Sequence, residues 1–360
     1  MDQELDDLVA FVEPLLRMLG VLEFVSRQLH PPSLTLVLAA VQDPSPALRS
    51  VRHRLAAWPD ALGPVRQALE SAADEALLAW EGVAVAAATA EDPAPLWRAL
   101  RHLPLAQEAL WLVAPALPPV SRYFLDAPGR LDRNLQARLA EPAAGSGVVH
   151  VANDYAERGG YSLYLPEARN SGSPAPLIMA LHGGSGHGRG FLWTWLPAAR
   201  AAGAVLVAPT SVRSTWSLHG ADEDTPRLQR ILDEVSAHWA LDPECLLLTG
   251  MSDGGTFAYL SGLQSGSPFT HLAPVAATFH SVLVAMADPQ RLRGRPIYIT
   301  HGRLDWMFPV QIAREARASL EAAGARVTYN ELADLSHTYP REVNSTLLDW
   351  LESEPAAAPT

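Results

Sequence analysis

Residues 245–257 read CLLLTGMSDGGTF. An apolar run from Cys245 to Leu248 ends among glycines, and Ser252 stands in their midst. Residues 255–263, GTFAYLSGL, then read as a helix. A strand, a sharp turn and a helix together lift a serine hydroxyl above the edge of a sheet, and G-x-S-x-G at 250–254 has the spacing of that turn. So tight a turn needs small neighbours, which Gly250, Gly254 and Gly255 supply. The motif alone also arises by chance in glycine loops. Its meaning depends on the rest of the chain.

From residue 148 the pattern is that of an α/β protein. GVVHVAN at 147–153 and YSLYLPE at 161–167 predict a hairpin. Apolar strands are expected at 176–183, 204–210, 245–252, 271–280, 296–302 and 327–332. Helices are expected around 190–202, 227–240, 255–265, 309–323 and 340–352. Short, wholly apolar strands alternating with amphipathic helices predict a mostly parallel, doubly wound sheet covered on both faces. Functional groups in such sheets collect at the carboxyl ends of the strands.

Four of those ends carry chemistry. The strand PLIMALHG ends at His182, Gly183 and Gly184, and CLLLTGMS ends at Ser252. PIYITHG runs on to Asp305, and His337 follows VTYNEL. A serine hydroxyl is a poor nucleophile at neutral pH and needs a base within reach. A histidine, with an ordinary pKa of about 6.5, supplies one. A buried aspartate fixes the tautomer of that histidine and steadies its cation. Asp305 fits this part better than Asp334, which lies three residues before His337 on the same loop. An oxyanion needs preorganised N–H donors. The Asp253 amide is one candidate, and Gly184 or its neighbour Gly183 is the other. The Asp253 side chain is expected to cap the helix that follows.

The stretches LHGG, GMSDGG, HGRLDWMFPV and LSHTYP resemble the α/β-hydrolase superfamily, in its phospholipase/carboxylesterase and dienelactone-hydrolase-like branches. The resemblance covers residues 147–353. It implies an α/β-hydrolase fold and a serine carboxylesterase without metal or organic cofactor, with Ser252 as nucleophile, Asp305 as acid and His337 as base. Dienelactone hydrolases themselves use cysteine, so their substrate is not implied here. A peptidase or a thioesterase would use the same three groups.

Several aromatic and histidine side chains fall near the same strand ends. Trp193, Trp216, Trp306 and His280 are candidate substrate-binding residues, against the alternative of core packing. They favour an apolar acyl or aryl ester, small or polymeric. His182 and His301 are expected to shape loops. The acidic loop at 219–228 reads as solvated, with Asp224 or Thr225 capping a helix. The histidines lack the spacing of a metal site. No large cap fits between the fourth parallel strand and PIYITHG.

The first 140 residues read as helices only, cut by prolines such as Pro31, Pro32, Pro118 and Pro119. The expected domains are therefore a helical one over 1–140, a linker at 141–147, a catalytic domain over 148–353 and a tail at 354–360. A lid, a homodimer surface or a docking module are the roles open to the helical half. All 27 basic residues are arginine, which excludes lysine Schiff-base chemistry and a P-loop. A net charge of -12 argues against nucleic acid as a partner. The single cysteine permits no internal disulfide. The acidic start and the lack of a long apolar run predict a cytoplasmic protein without membrane contact.

Overall fold

The computed structural model describes residues 2–89, 94–141, 143–167 and 174–356. Pro142 of the expected linker and residues 357–360 of the expected tail lie outside the described residues. The chain divides into two compact units, Met1–Gln136 and Ala137–Thr360.

The first unit is helical. Its helices are α1 (Asp2–Arg27), α2 (Leu34–Ala40), α3 (Ser45–Val51), α4 (Gly63–Thr89), α5 (Ala94–Leu100), α6 (His102–Trp111) and α7 (Pro118–Tyr123). Another helix, α8 (Arg133–Leu139), carries the chain across the boundary. Phe11, Leu15, Met18, Leu19, Leu22 and Val25 form the fully buried stripe of α1. That three-and-four spacing is why α1 is a helix and where its inner face lies. Helix α4 packs on α5 and α6, and α1 on α3, α4 and α6. Tyr123 Oη donates to Glu23 Oε1 at 2.7 Å, and Gln107 Nε2 donates to both, fastening α6 and α7 to α1. The prolines act less uniformly than the sequence suggests. Pro118 and Pro119 start α7, where a missing N–H costs nothing. Pro14, by contrast, lies inside the 26 residues of α1. Burial of the stripe outweighs the one lost hydrogen bond.

The second unit is built on one eight-stranded sheet. Its strands are β1 (Gly147–Val151), β2 (Tyr161–Leu165), β3 (Ala175–Leu181), β4 (Val205–Pro209), β5 (Leu241–Met251), β6 (His271–Val275), β7 (Pro296–Gly302) and β8 (Arg326–Leu332). Their order across the sheet is β1-β2-β4-β3-β5-β6-β7-β8. The β1–β2 and β2–β4 pairs are antiparallel and all others parallel. Strand β1 begins at Gly147, the last residue of the expected linker.

Helices α9 (Gly188–Ala202), α10 (Thr225–His238), α11 (Asp253–Gly262), α12 (Val282–Met286), α13 (Pro289–Leu292), α14 (Val310–Ala322) and α15 (Asn344–Ser353) connect and follow these strands. Leu177, Met179 and Leu181 of β3 share a core with Leu228 and Ile231 of α10, Phe257 of α11 and Leu320 of α14. Ile178 and Ala180, the alternate residues, are equally buried and face the other side. Helix α9 packs on β2, β3 and β4, and also against α15. Only α12 and α13, both short, occupy the space between β6 and β7. Among the described residues no helix is long and apolar enough to cross a membrane.

One ion pair is wholly enclosed. Arg200 of α9 is 1% exposed and grips Glu167 through Nε at 2.6 Å and Nη2 at 3.0 Å. Tyr164 Oη donates to the same carboxylate at 3.0 Å. A buried pair gives little net stability, but breaking it strands a charge. Glu167→Ala is therefore expected to destabilise the unit by about 3–5 kcal/mol, read from the urea midpoint of unfolding.

Candidate active site

The sheet raises Ser252 at the end of β5. Its backbone stands at φ 56°, ψ −119°, a conformation that non-glycine residues rarely adopt. The surroundings hold it there. Its N–H donates to Val275 O at 2.9 Å, and the next residue begins α11. A Cβ on Gly250 would lie 2.5 Å from the Gly254 carbonyl, and one on Gly254 would lie 2.4 Å from Leu181 O. The turn closes only because both are glycine.

Ser252 Oγ lies 3.0 Å from His337 Nε2. His337 Nδ1 lies 2.9 Å from Asp305 Oδ2. Nδ1–H donates to the carboxylate, so Nε2 is left to accept the serine proton. Asp305 is held in turn by the Met307 and Phe308 amides, which donate to Oδ1 at 2.9 and 2.7 Å. The Phe308 ring meets His337 edge-on at 5.1 Å. All three side chains are buried, each residue 7% exposed. Asp334 is exposed, and it is Asp305 that bonds the histidine.

The loop after β3 comes alongside. A Cβ on Gly183 would lie 3.6 Å from Ser252 Cβ, and one on Gly184 would lie 2.7 Å from Asp253 Oδ2. As the first residue of α11, Asp253 has an N–H with no partner inside its helix. Gly183, Gly184 and the Asp253 amide thus border the serine. The Asp253 side chain does not cap α11, contrary to expectation. It accepts a hydrogen bond from Thr215 Oγ1 at 2.5 Å and so spans two loops.

A polar scaffold fixes this loop. His182 Nδ1–H donates to Gly183 O at 2.7 Å, and Nε2 accepts from the Ser211 amide at 3.1 Å. Arg158, from the β1–β2 connection, donates to Gly186 O at 3.2 Å and to Ser211 O at 3.1 Å. Asp224 is 2% exposed and accepts from Val212 N, Ser217 N and Ser217 Oγ. Its side chain does not cap α10, and it is buried although residues 219–223 of the same loop are exposed, as expected. Thr215, Ser211, Arg158 and Asp224 have no motif around them, and the sequence marks none of them as part of the site.

The four candidate binding residues separate. Trp216 is 3% exposed, donates Nε1–H to His182 O at 2.7 Å, and stacks between His182 and Phe257. Trp193 is 1% exposed in α9. Both are packed in the interior and present little surface to solvent. Trp306 is 42% exposed beside Asp305, together with Leu304 and Met307. His280 is exposed beyond β6, and its Nδ1 accepts from Val282 N at 3.2 Å. His301 supports the Asp305 turn, with Nε2–H donating to Phe308 O at 2.8 Å and lying 3.4 Å from Asp305 Oδ2.

The strand order, two antiparallel pairs at one edge and the serine turn after the fifth strand are those of one fold. The chain has the α/β-hydrolase fold. No family model matches the sequence. The bifunctional acetylxylan esterase/xylanase XynS20E of Neocallimastix patriciarum is 27% identical over 213 residues. That match takes in 55% of this chain and 29% of the relative, so the chain spans under a third of that protein. Among solved structures, a thermostable esterase is similar at a TM-score of 0.47 and 18% identity, over 58% of this chain and 62% of that one. A truncated carbohydrate esterase from gut microbiota is similar at 0.47 and 14% identity, over 59% of this chain and 99% of that one.

Burial gives the scaffold a pH dependence. The His182 ring is pushed down to about 3, chiefly because its cation cannot be solvated there. In the unfolded chain it titrates near 6.5. Its contribution to stability is complete above about pH 6.5 and is lost as pH falls toward 3, at roughly 1.4 kcal/mol per unit. Unfolding is expected to take up a proton at this site at pH 5. Histidine ring resonances followed by NMR from pH 8 to pH 5 check it, since those of folded His182 should not move.

Proposed function

We propose that this chain is a serine-dependent carboxylic ester hydrolase working through an acyl-enzyme. The supporting observation is the hydrogen-bonded line Ser252–His337–Asp305, set at the carboxyl ends of β5, β8 and β7. Ser252 attacks the ester carbonyl as His337 takes its proton. Asp305 holds the imidazole in the required tautomer and stabilises its cation. The Asp253 and Gly184 amides receive the oxyanion, with Gly183 as their neighbour. His337 then gives its proton to the leaving alcohol, which departs. A water, deprotonated by His337, releases the acid and restores Ser252.

The exposed Leu304, Trp306 and Met307 beside Asp305 favour an apolar acyl or aryl group. The same side chains would suit a bulky or polymeric ester. The matched relative is named for acetylxylan, which makes a small acyl group on a polysaccharide the second substrate to examine. Thioester and amide bonds use the same groups, so ester, thioester and amide forms of one acyl group belong in a single comparison.

Ser252→Ala is expected to lower turnover of short p-nitrophenyl esters by about 10⁴–10⁶-fold while the far-UV spectrum is kept. Turnover that survives the change would remove Ser252 from the mechanism.

A further inference from the structure

The carboxyl ends of the parallel strands carry Ser252, and the opposite edge of the sheet carries a different group of side chains. Arg295 stands there, one residue before β7. It is 3% exposed. Its Nη2 donates to Gly262 O, at the C-terminus of α11, at 3.1 Å, while Nε is buried without a partner. Arg291 of α13 donates Nη2–H to Ser267 O, and its Nε is likewise buried without a partner. The hydroxyl of Ser267 is a third such group. Among the described residues neither arginine has a carboxylate partner. Burial lowers the pKa of Arg295, and the charge of Arg291 lowers it further, to about 10.

The end of α11 offers about half a negative charge. Two guanidinium groups bring two positive ones. Arg295 is the buried one, so about half a charge is left uncompensated where buried charges are ordinarily paired, and the partly buried Arg291 adds a second positive charge beside it. Capping the helix therefore accounts for one hydrogen bond of Arg295 and leaves the two Nε–H groups and the Ser267 hydroxyl unexplained.

We propose that Arg291, Arg295 and Ser267 form a binding site for a small tetrahedral oxyanion, either inorganic phosphate or the phosphoryl group of a phosphate ester. A guanidinium edge matches two oxygens of such a group. A phosphate carries close to two negative charges at neutral pH, which balances the pair. The site is separate from Ser252, at roughly 15 Å for the ten residues of α11 that lie between them. It clamps the far end of the helix whose first residue is Asp253, so its ligand acts on stability and not on the ester.

Thermal unfolding of the full chain tests this. Inorganic phosphate is titrated against sodium chloride of equal ionic strength. A saturable rise is expected with phosphate alone, about 5 °C once it exceeds Kd a hundredfold. Arg291→Gln should abolish the rise, and Ser267→Ala should weaken the affinity about tenfold, while ester turnover is unchanged in both. Glycerol 2-phosphate distinguishes the sources: an equal rise assigns the site to phosphate esters as well, and none assigns it to the free ion. A shift no larger than that with chloride, or one retained in Arg291→Gln, overturns the proposal. Should Arg291→Gln fail to fold, the titration of Ser267→Ala decides, and an unaltered affinity there overturns it too.

Discussion

The backbone of Ser252, at φ 56° and ψ −119°, is the constraint on which the rest of the second unit depends. A non-glycine residue held in such a region costs about 1–3 kcal/mol. The cost is met by neighbours that leave no other conformation. Strand β6 takes the serine N–H through Val275, and α11 starts one residue later. Gly250 lies too close to the Gly254 carbonyl, and Gly254 too close to the Leu181 carbonyl, for any side chain. Because β5 lies in the middle of the sheet, flanked by β3 and β6, the strain is anchored by the most buried part of the unit.

Around this turn the chain places two kinds of support. One serves the histidine: Asp305 is gripped by two amides of its own turn, and His301 holds that turn through Phe308 O. The other serves the loop at Gly183 and Gly184. His182 bridges it to Ser211, Trp216 binds the His182 carbonyl, and Thr215 fastens Asp253. The same burial that makes His182 a fixed, neutral bridge removes it from any acid–base part. His182, Trp216 and His301, each near a different strand end, thus have different tasks, set by what each one touches.

Legibility followed the range of the interaction. Strands β3 and β7 and the second half of β5 are buried on both faces, and their positions follow from the sequence to within a few residues. The strand at 271–280 is shorter than its apolar run suggests, because the chain turns out of the sheet at Ala276, with φ 46°. The G-x-S-x-G turn, the glycine pair after β3 and the order Ser, Asp, His are local signals. Asp224, Thr215 and Arg158 act through partners up to 53 residues away, and nothing near them in sequence marks that role.

The sequence by itself determined the elements, the strained turn and the residue types at four strand ends, because apolar period and glycine sterics act over a few residues. Only the tertiary structure decided that Trp216 and Trp193 are buried, that Asp253 reaches Thr215, that Asp224 holds the Ser217 loop, and that two arginines lie together at the amino-terminal ends of the strands. Those outcomes depend on which strands become neighbours. In a parallel sheet that neighbourhood is made by crossovers tens of residues long, so it is settled by packing and not by local spacing.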